Sequence, residues 1–196
     1  MANTNRPNGF RPVKHLTGAP YNGQFNIYEI VVGDGTATFV GDLVKTDAGT
    51  ATDVYPTCIR AGTSGEVTSG LLLGAIVGFV PDPTNLNLPA NRAASTKRYA
   101  YVADAPDLVF ETMDGATVPT TATLIGMNTG FMATAGSAVT GKSGMTTGTT
   151  TATTTNTLPL KIVGIVNSVD NASGAASQRL WVMINQHALG AGTVGV

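Results

Sequence analysis

The sequence predicts an all-β protein, an antiparallel β-sandwich or barrel. Short runs rich in Val, Ile, Tyr, Phe and Thr recur along the chain, and Gly, Pro, Asn or Asp separates them. No long window keeps apolar groups at helical spacing without Gly, Pro or Thr breaking it. Frequent short strands with regular turn signals are the pattern of sandwiches and barrels.

Residues 1–24 read as an extended N-terminal arm, because Pro7, Gly9, Pro12, Gly18, Pro20 and Gly23 interrupt both helix and strand. Ordering this segment costs on the order of 1–2 kcal/mol per residue. It has few large apolar groups (Phe10, Val13, Leu16, Tyr21) to offset that cost, so the expectation is an arm disordered alone or ordered against another chain. The β domain, 25–189, begins with Phe25–Val32, a β-branched and aromatic run ending at Gly33-Asp34-Gly35. Thr38–Val40, Asp42–Lys45 and Val54–Arg60 follow, then the apolar run Leu71–Val80. After a Pro- and Asn-rich loop at 81–91 come Arg98–Val102 and Leu108–Thr112, and finally Leu160–Val169 and Arg179–Asn185. Trp181, apolar on both sides in sequence, is expected to be covered on both faces. Residues 134–157 are low-complexity Thr, Gly and Ala and read as a long exposed loop. Residues 190–196 read as a flexible C-terminal tail.

Ile76-Val77-Gly78-Phe79-Val80 and Ile162-Val163-Gly164-Ile165-Val166 share a pattern, and each precedes an Arg-led strand after a loop. The mid-strand Gly signals a bulge or a close backbone approach. Two unrelated Val/Ile strands are the simpler reading and a duplicated unit the alternative.

Charge narrows the function classes. Only 12% of residues are charged, against about 25% in an average domain. Net charge is −1, which gives no support for direct nucleic-acid binding. Arg6, Arg11 and Lys14 all precede the first acidic residue, Glu29, so a basic leading segment precedes a mildly acidic body and suits an acidic neighbour. Cys58 is the single cysteine, which excludes an intrachain disulfide and suits a reducing cytoplasm. No apolar run approaches the roughly 20 residues of a membrane helix, and the leading residues lack a signal-peptide pattern.

Catalytic patterns weigh little. Gly136-Ser137-Ala138-Val139-Thr140-Gly141-Lys142-Ser143 fits the P-loop formula, but that chemistry needs a helix opening at once after Ser143. Gly144-Met145-Thr146-Thr147-Gly148 is poor helix-forming sequence, so the match reads as chance. His15 and His187 lack neighbouring ligands at metal spacing, and Cys58 reads as a small buried hydrophobe. Asp104, Asp107 and Glu111 read as turn formers and a strand carboxylate. Asn171-Ala172-Ser173 fits a glycosylation sequon that a chain without an export signal does not use. The expectation is no enzyme, no cofactor and no metal.

The opening stretch Met1-Ala2-Asn3, with Arg6-Pro7-Asn8-Gly9-Phe10-Arg11-Pro12-Val13-Lys14-His15, resembles the start of capsid decoration (cement) proteins of tailed bacteriophages. Tyr99–Glu111, Leu160–Val166 with Asp170-Asn171, and Trp181–His187 resemble the same family, so the likeness reaches both ends and the middle. The Thr-rich segment 146–157 has no counterpart in it. The resemblance implies a jelly-roll-like antiparallel core. It also implies a structural virion protein on the outer capsid surface, bound as a homodimer or homotrimer and bridging subunits of the major capsid protein. On that expectation Arg6, Arg11 and Lys14 supply polar anchoring and Phe10 and Val13 apolar anchoring, with Pro7, Pro12 and His15 completing the interface. Rival expectations are a tail- or fibre-associated β protein, a P-loop nucleotide hydrolase and a carbohydrate-binding module, for which one Trp is a meagre aromatic supply.

Overall fold

The structure is a computed structural model and describes residues 3–47, 54–62, 66–116, 119–148 and 152–190. Its strands are β1 (Arg11–His15), β2 (Asn26–Ile30), β3 (Leu43–Thr46), β4 (Cys58–Arg60), β5 (Gly74–Phe79), β6 (Arg98–Ala103), β7 (Leu108–Met113), β8 (Asn128–Thr129), β9 (Phe131–Met132), β10 (Thr146–Thr147), β11 (Leu160–Ile165) and β12 (Arg179–Ile184). Helix among the described residues is confined to single turns at Glu66–Ser69 and Ala122–Leu124. One five-stranded sheet runs β2-β6-β5-β3-β4 and the other β1-β7-β12-β11-β8, with β9 and β10 paired beside them. Every ladder is antiparallel. The all-β expectation holds.

The two sheets are two copies of one unit. β2, β3, β5 and β6 of the first copy occupy the places of β7, β8, β11 and β12 in the second. The registers coincide: Ile76 faces Val102 and Gly78 faces Tyr101, while Ile162 faces Val182 and Gly164 faces Trp181. Both hairpins skip one residue before the glycine, so Val77 and Val163 are bulged alike. A Cβ on Gly78 would lie 3.4 Å from the Tyr101 ring, and one on Gly164 would lie 3.5 Å from that of Trp181. Turn bonds repeat as well. Gly41 and Gly126, both at positive φ, donate to the Ile76 and Ile162 carbonyls at 2.8 and 2.9 Å. Val80 and Val166 donate to the Tyr99 and Arg179 carbonyls at 2.9 and 3.1 Å. The shared Ile-Val-Gly pattern therefore marks a duplicated unit, and the simpler reading of two unrelated strands is corrected.

Alternation along the strands divides the interior in two. Leu43, Ala75 and Ala103 point into a core shared with Phe110, Leu160, Leu180 and Val182 of the second sheet. Their neighbours Val44, Ile76 and Val102 point the other way, onto Tyr28, Ile30, Cys58, Leu73 and Ala100. The first sheet is buried on both faces at this end, which is why Leu71–Val80 reads as an unbroken apolar run. A parallel bridge of Glu29 with Thr57 curls the first sheet back toward β2, and its counterpart, Asp114 with Thr147, ties the β9–β10 pair to the end of β7. Arg92 is buried beside the first repeat. Its Nε and amino groups donate to the carbonyls of Thr96, Thr36, Val31 and Asp34 and to the Asp34 carboxylate.

Two expectations change. Residues 11–15 of the arm form β1 on the edge of β7, and Phe10 is only 1% exposed in the shared core. One buried aromatic and a ladder of backbone bonds offset the ordering cost within this chain, so no second chain is needed there. Residues 134–140 of the 134–157 tract are exposed apart from the half-buried Gly136, as expected, but its middle is not an exposed loop. Ser143, Met145, Thr146 and Thr147 are buried, and Gly144 lets the backbone pass where a Cβ would meet the Ala135 carbonyl at 2.3 Å. Residues 153–157 are exposed, and burial resumes at Leu158. Thr149–Thr151 and residues 191–196 of the tail lie outside the described residues.

Candidate interaction surface

The outer face of the second sheet carries an ion ladder. On β7 and β12, Glu111 and Trp181 are register partners and both point away from the core. Arg11 of β1 is opposite Glu111 and donates to it at 3.0 Å, while Arg179 lies 3.6 Å away on the other side. Arg179 continues the ladder to Asp170 at 2.6 Å. The Ser168 hydroxyl, followed by Arg179, holds the Asp170 carboxyl below its ordinary range. Lys14 Nζ stands 4.1 Å from the Trp181 ring centroid. Trp181 is half-buried under this cation, which corrects the expectation of cover on both faces: one side of the sheet packs and the other is dressed by residues 3–15, the strap.

The strap is fixed at three points. Asn3 and Ala172 exchange hydrogen bonds at 3.0 and 2.7 Å. Gly9, at φ +69°, threads a gap where a Cβ would lie 2.4 Å from the Gly41 carbonyl oxygen and 2.6 Å from Ser143 Cβ. Phe10 N–H then donates to Gly41 at 2.8 Å as its ring enters the core. Between strap and sheet lies a polar cavity of about 250 Å³, whose lining includes Arg6, Asn8, Arg11, Glu111, Asp170 and Arg179. Arg6 makes no ion pair or hydrogen bond with the described residues.

Of the sequence-derived interface residues, Arg6, Pro7 and Arg11 are exposed, and Pro12, Val13, Lys14 and His15 are half-buried along one edge. His15 Nδ1 is 3.0 Å from an Asp107 carboxylate oxygen. Phe10 departs from its expected role, because an anchor buried in its own core has no surface to offer a partner.

The equivalent face of the first repeat is apolar. Ile27 and Tyr101 stand where Glu111 and Trp181 stand in the second, and Tyr99 replaces Arg179. Phe25 packs on Tyr101 with ring centroids 4.3 Å apart, and Tyr55 meets Tyr99 edge-on at 5.4 Å. Beside the second pair lies a groove of about 520 Å³, lined by Ile27, Tyr55, Val80, Pro81, Leu88 and Tyr99, with Asp82, Lys97 and Arg98 at its polar positions. Lys97 pairs with the buried Glu29 at 3.3 Å. Sequence reasoning missed this face. Its signal was the alternation Phe25-x-Ile27 opposite Tyr99-x-Tyr101, which puts four large side chains on one side.

The remaining motifs resolve into structure. Gly136–Ser143 is a tight hairpin in which Ser137 and Lys142 are bridge partners and the Gly141 N–H donates to Ser137 at 2.8 Å. Extended residues leading to β10 follow Ser143, so the helix that phosphate binding requires does not form there. Burial pushes the Cys58 thiol up. Asp104 accepts from Tyr28 and Asn26, Asp107 faces His15, and Glu111 faces Arg11, so these carboxylates do not converge. The Asn171 side chain is tied to the Val166 carbonyl and the Arg179 backbone. Among the described residues no group of three or more His, Cys, Asp or Glu side chains is placed to hold a metal, and no helix is long and apolar enough to cross a membrane. No protein-family model, curated protein or solved structure matches this chain.

Proposed function

We propose that this chain is a structural virion protein of a tailed bacteriophage, a decoration protein on the outer capsid surface that bridges subunits of the major capsid protein. The observation that carries the reading is the strap. The stretch in which the resemblance is densest is fixed on the body, and it presents Arg6, Arg11 and Lys14 along one edge. A rigid basic edge docks on an acidic neighbour without the ordering cost a loose arm would pay. Binding the expanded shell and not its precursor stabilises the expanded state by linkage. A homodimer or homotrimer gains avidity from several contacts, each roughly 800 Å² per partner.

Mature heads stripped of this protein supply the test. The wild-type chain is expected to rebind them, and the Arg6→Ser, Arg11→Ser, Lys14→Ser triple variant to fall in occupancy by about tenfold or more while its thermal unfolding stays near wild type. Labelled protein found on tails, or no binding to heads at saturating concentration, overturns the reading.

A further inference from the structure

The internal repeat shows which strand edge is covered in one copy and bare in the other. In the second repeat the outer edge of β7 is taken by β1, with Arg11 opposite Glu111 and His15 opposite Leu108. In the first repeat the equivalent strand is β2, an edge strand of its sheet. Its far end is closed, because the Glu29 N–H donates outward to the Pro56 carbonyl at 2.9 Å. Backbone groups two residues apart point the same way, so the N–H and C=O of Ile27 also face outward. Among the described residues nothing pairs with them. A bare edge of this kind is a template for one more strand.

Side chains specify what that strand must carry. Where β1 brings Arg11 to Glu111 and Arg179, the first repeat offers Ile27 and Tyr99 beside the groove of about 520 Å³. A guanidinium there would meet apolar and aromatic walls, with Lys97 and Arg98 already at the groove and its one carboxylate, Asp82, already acting on Arg98. We infer that the outer edge of β2 is the docking site for an extended strand of a different polypeptide, antiparallel to β2, with a large apolar or aromatic side chain opposite Ile27. The bare Ile27 edge and the apolar groove beside it, set against the filled edge of β7, are the observations that carry this. It rests on the repeat and not on the capsid reading, and it stands or falls separately from head binding.

Two blocked peptides probe it by NMR titration and amide exchange. One alternates threonine and valine around a central phenylalanine, and the other has the strap sequence Phe-Arg-Pro-Val-Lys-His-Leu. The phenylalanine peptide is expected to bind and to slow exchange of the Ile27 amide by tenfold or more. Ile27→Pro removes the outward N–H without touching the bonds between β2 and β6, and it is expected to abolish binding. The Ile27→Glu, Tyr99→Arg double variant rebuilds the charges of the second repeat. It should shift preference toward the strap peptide by roughly tenfold to a hundredfold. Absence of binding at about 1 mM peptide, or binding unchanged in both variants, overturns the inference. Sedimentation showing self-association that Ile27→Pro abolishes also overturns it, by making a second copy the occupant.

Discussion

Where the second repeat places Glu111, Arg179 and Trp181, the first places Ile27, Tyr99 and Tyr101. On the buried side Ile76 and Val102 in one copy answer to Ile162 and Val182 in the other, while the pair Tyr28 and Ala100 answers to Thr112 and Leu180, bulk lost on one strand being returned on its neighbour. Inward residues are held by packing, and a change of one methylene is felt there. Outward residues answer only to what covers them. The second repeat is covered by its own strap and is charged, while the first has no strand on the corresponding edge of β2 among the described residues and is apolar. Divergence on one face over a common backbone is how a duplicated fold acquires two different surfaces.

The sharpest way to break the contrast is to undock the strap. Phe10→Ala is expected to cost about 3–5 kcal/mol in denaturant unfolding, as an aromatic removed from the shared core. Gly9→Ala acts in the same direction, through the Gly41 carbonyl that a Cβ would strike. Amide exchange should report the exposure: Glu111 loses its protection in both variants while Ile76 keeps its own.

A second effect sits at the seam between the repeats. His187 bridges Leu72, is 5% exposed, and uses Nδ1 to accept from the Leu189 N–H. Burial lowers its pKa below the ordinary value, and the Asp104 carboxylate and the nearby Asp104 and Leu73 backbone only partly oppose this. The unfolded chain therefore takes up a proton at higher pH than the folded one. Stability attributable to His187 is complete above about pH 6.5 and drains away as pH falls toward the folded value. The slope is at most about 1.4 kcal/mol per pH unit. Denaturant midpoints from pH 7.5 to 5 should decline in the wild type and decline less in His187→Gln.

Smaller effects test the equality of the repeats. Gly78→Ala and Gly164→Ala place a methyl against Tyr101 and Trp181 at ordinary contact distance, and neither glycine has positive φ. Both should be neutral or stabilising by up to about 1 kcal/mol, and by similar amounts in thermal melts. Arg11→Ala removes one exposed ion pair of the ladder and should cost less than about 1 kcal/mol, a difference that high salt erases.

The sequence made the β class legible because β-branched runs and turn residues act locally. The bulges at Val77 and Val163 were legible for the same reason, since a glycine inside a Val/Ile strand has few other uses. The strap was misread because its order comes from one aromatic, Phe10, in a pocket built by residues far along the chain. The middle of the Thr and Gly tract was misread for a related reason. Small side chains look as if they have nothing to bury, yet Gly144 and Gly136 let backbones approach where any Cβ would collide. Arg92 gave no signal, because carbonyls arranged by the fold, not neighbours in sequence, satisfy it. Of the candidate surfaces, the basic edge was visible as charge order along the chain. The apolar groove was not, because Tyr55, Leu88 and Tyr99 meet only after folding.

The strand order carries one more implication. In each copy the opening and closing strands are hydrogen-bonded partners, β2 with β6 and β7 with β12, so entrance and exit lie next to each other. Asn26 at the start of one unit faces Val102 near its end, and only residues 104–107 separate that unit from the next. A module whose two ends meet can be copied head to tail with a four-residue splice and no rethreading of its interior. Lengthening the molecule by another such module would need only one more connector of that size.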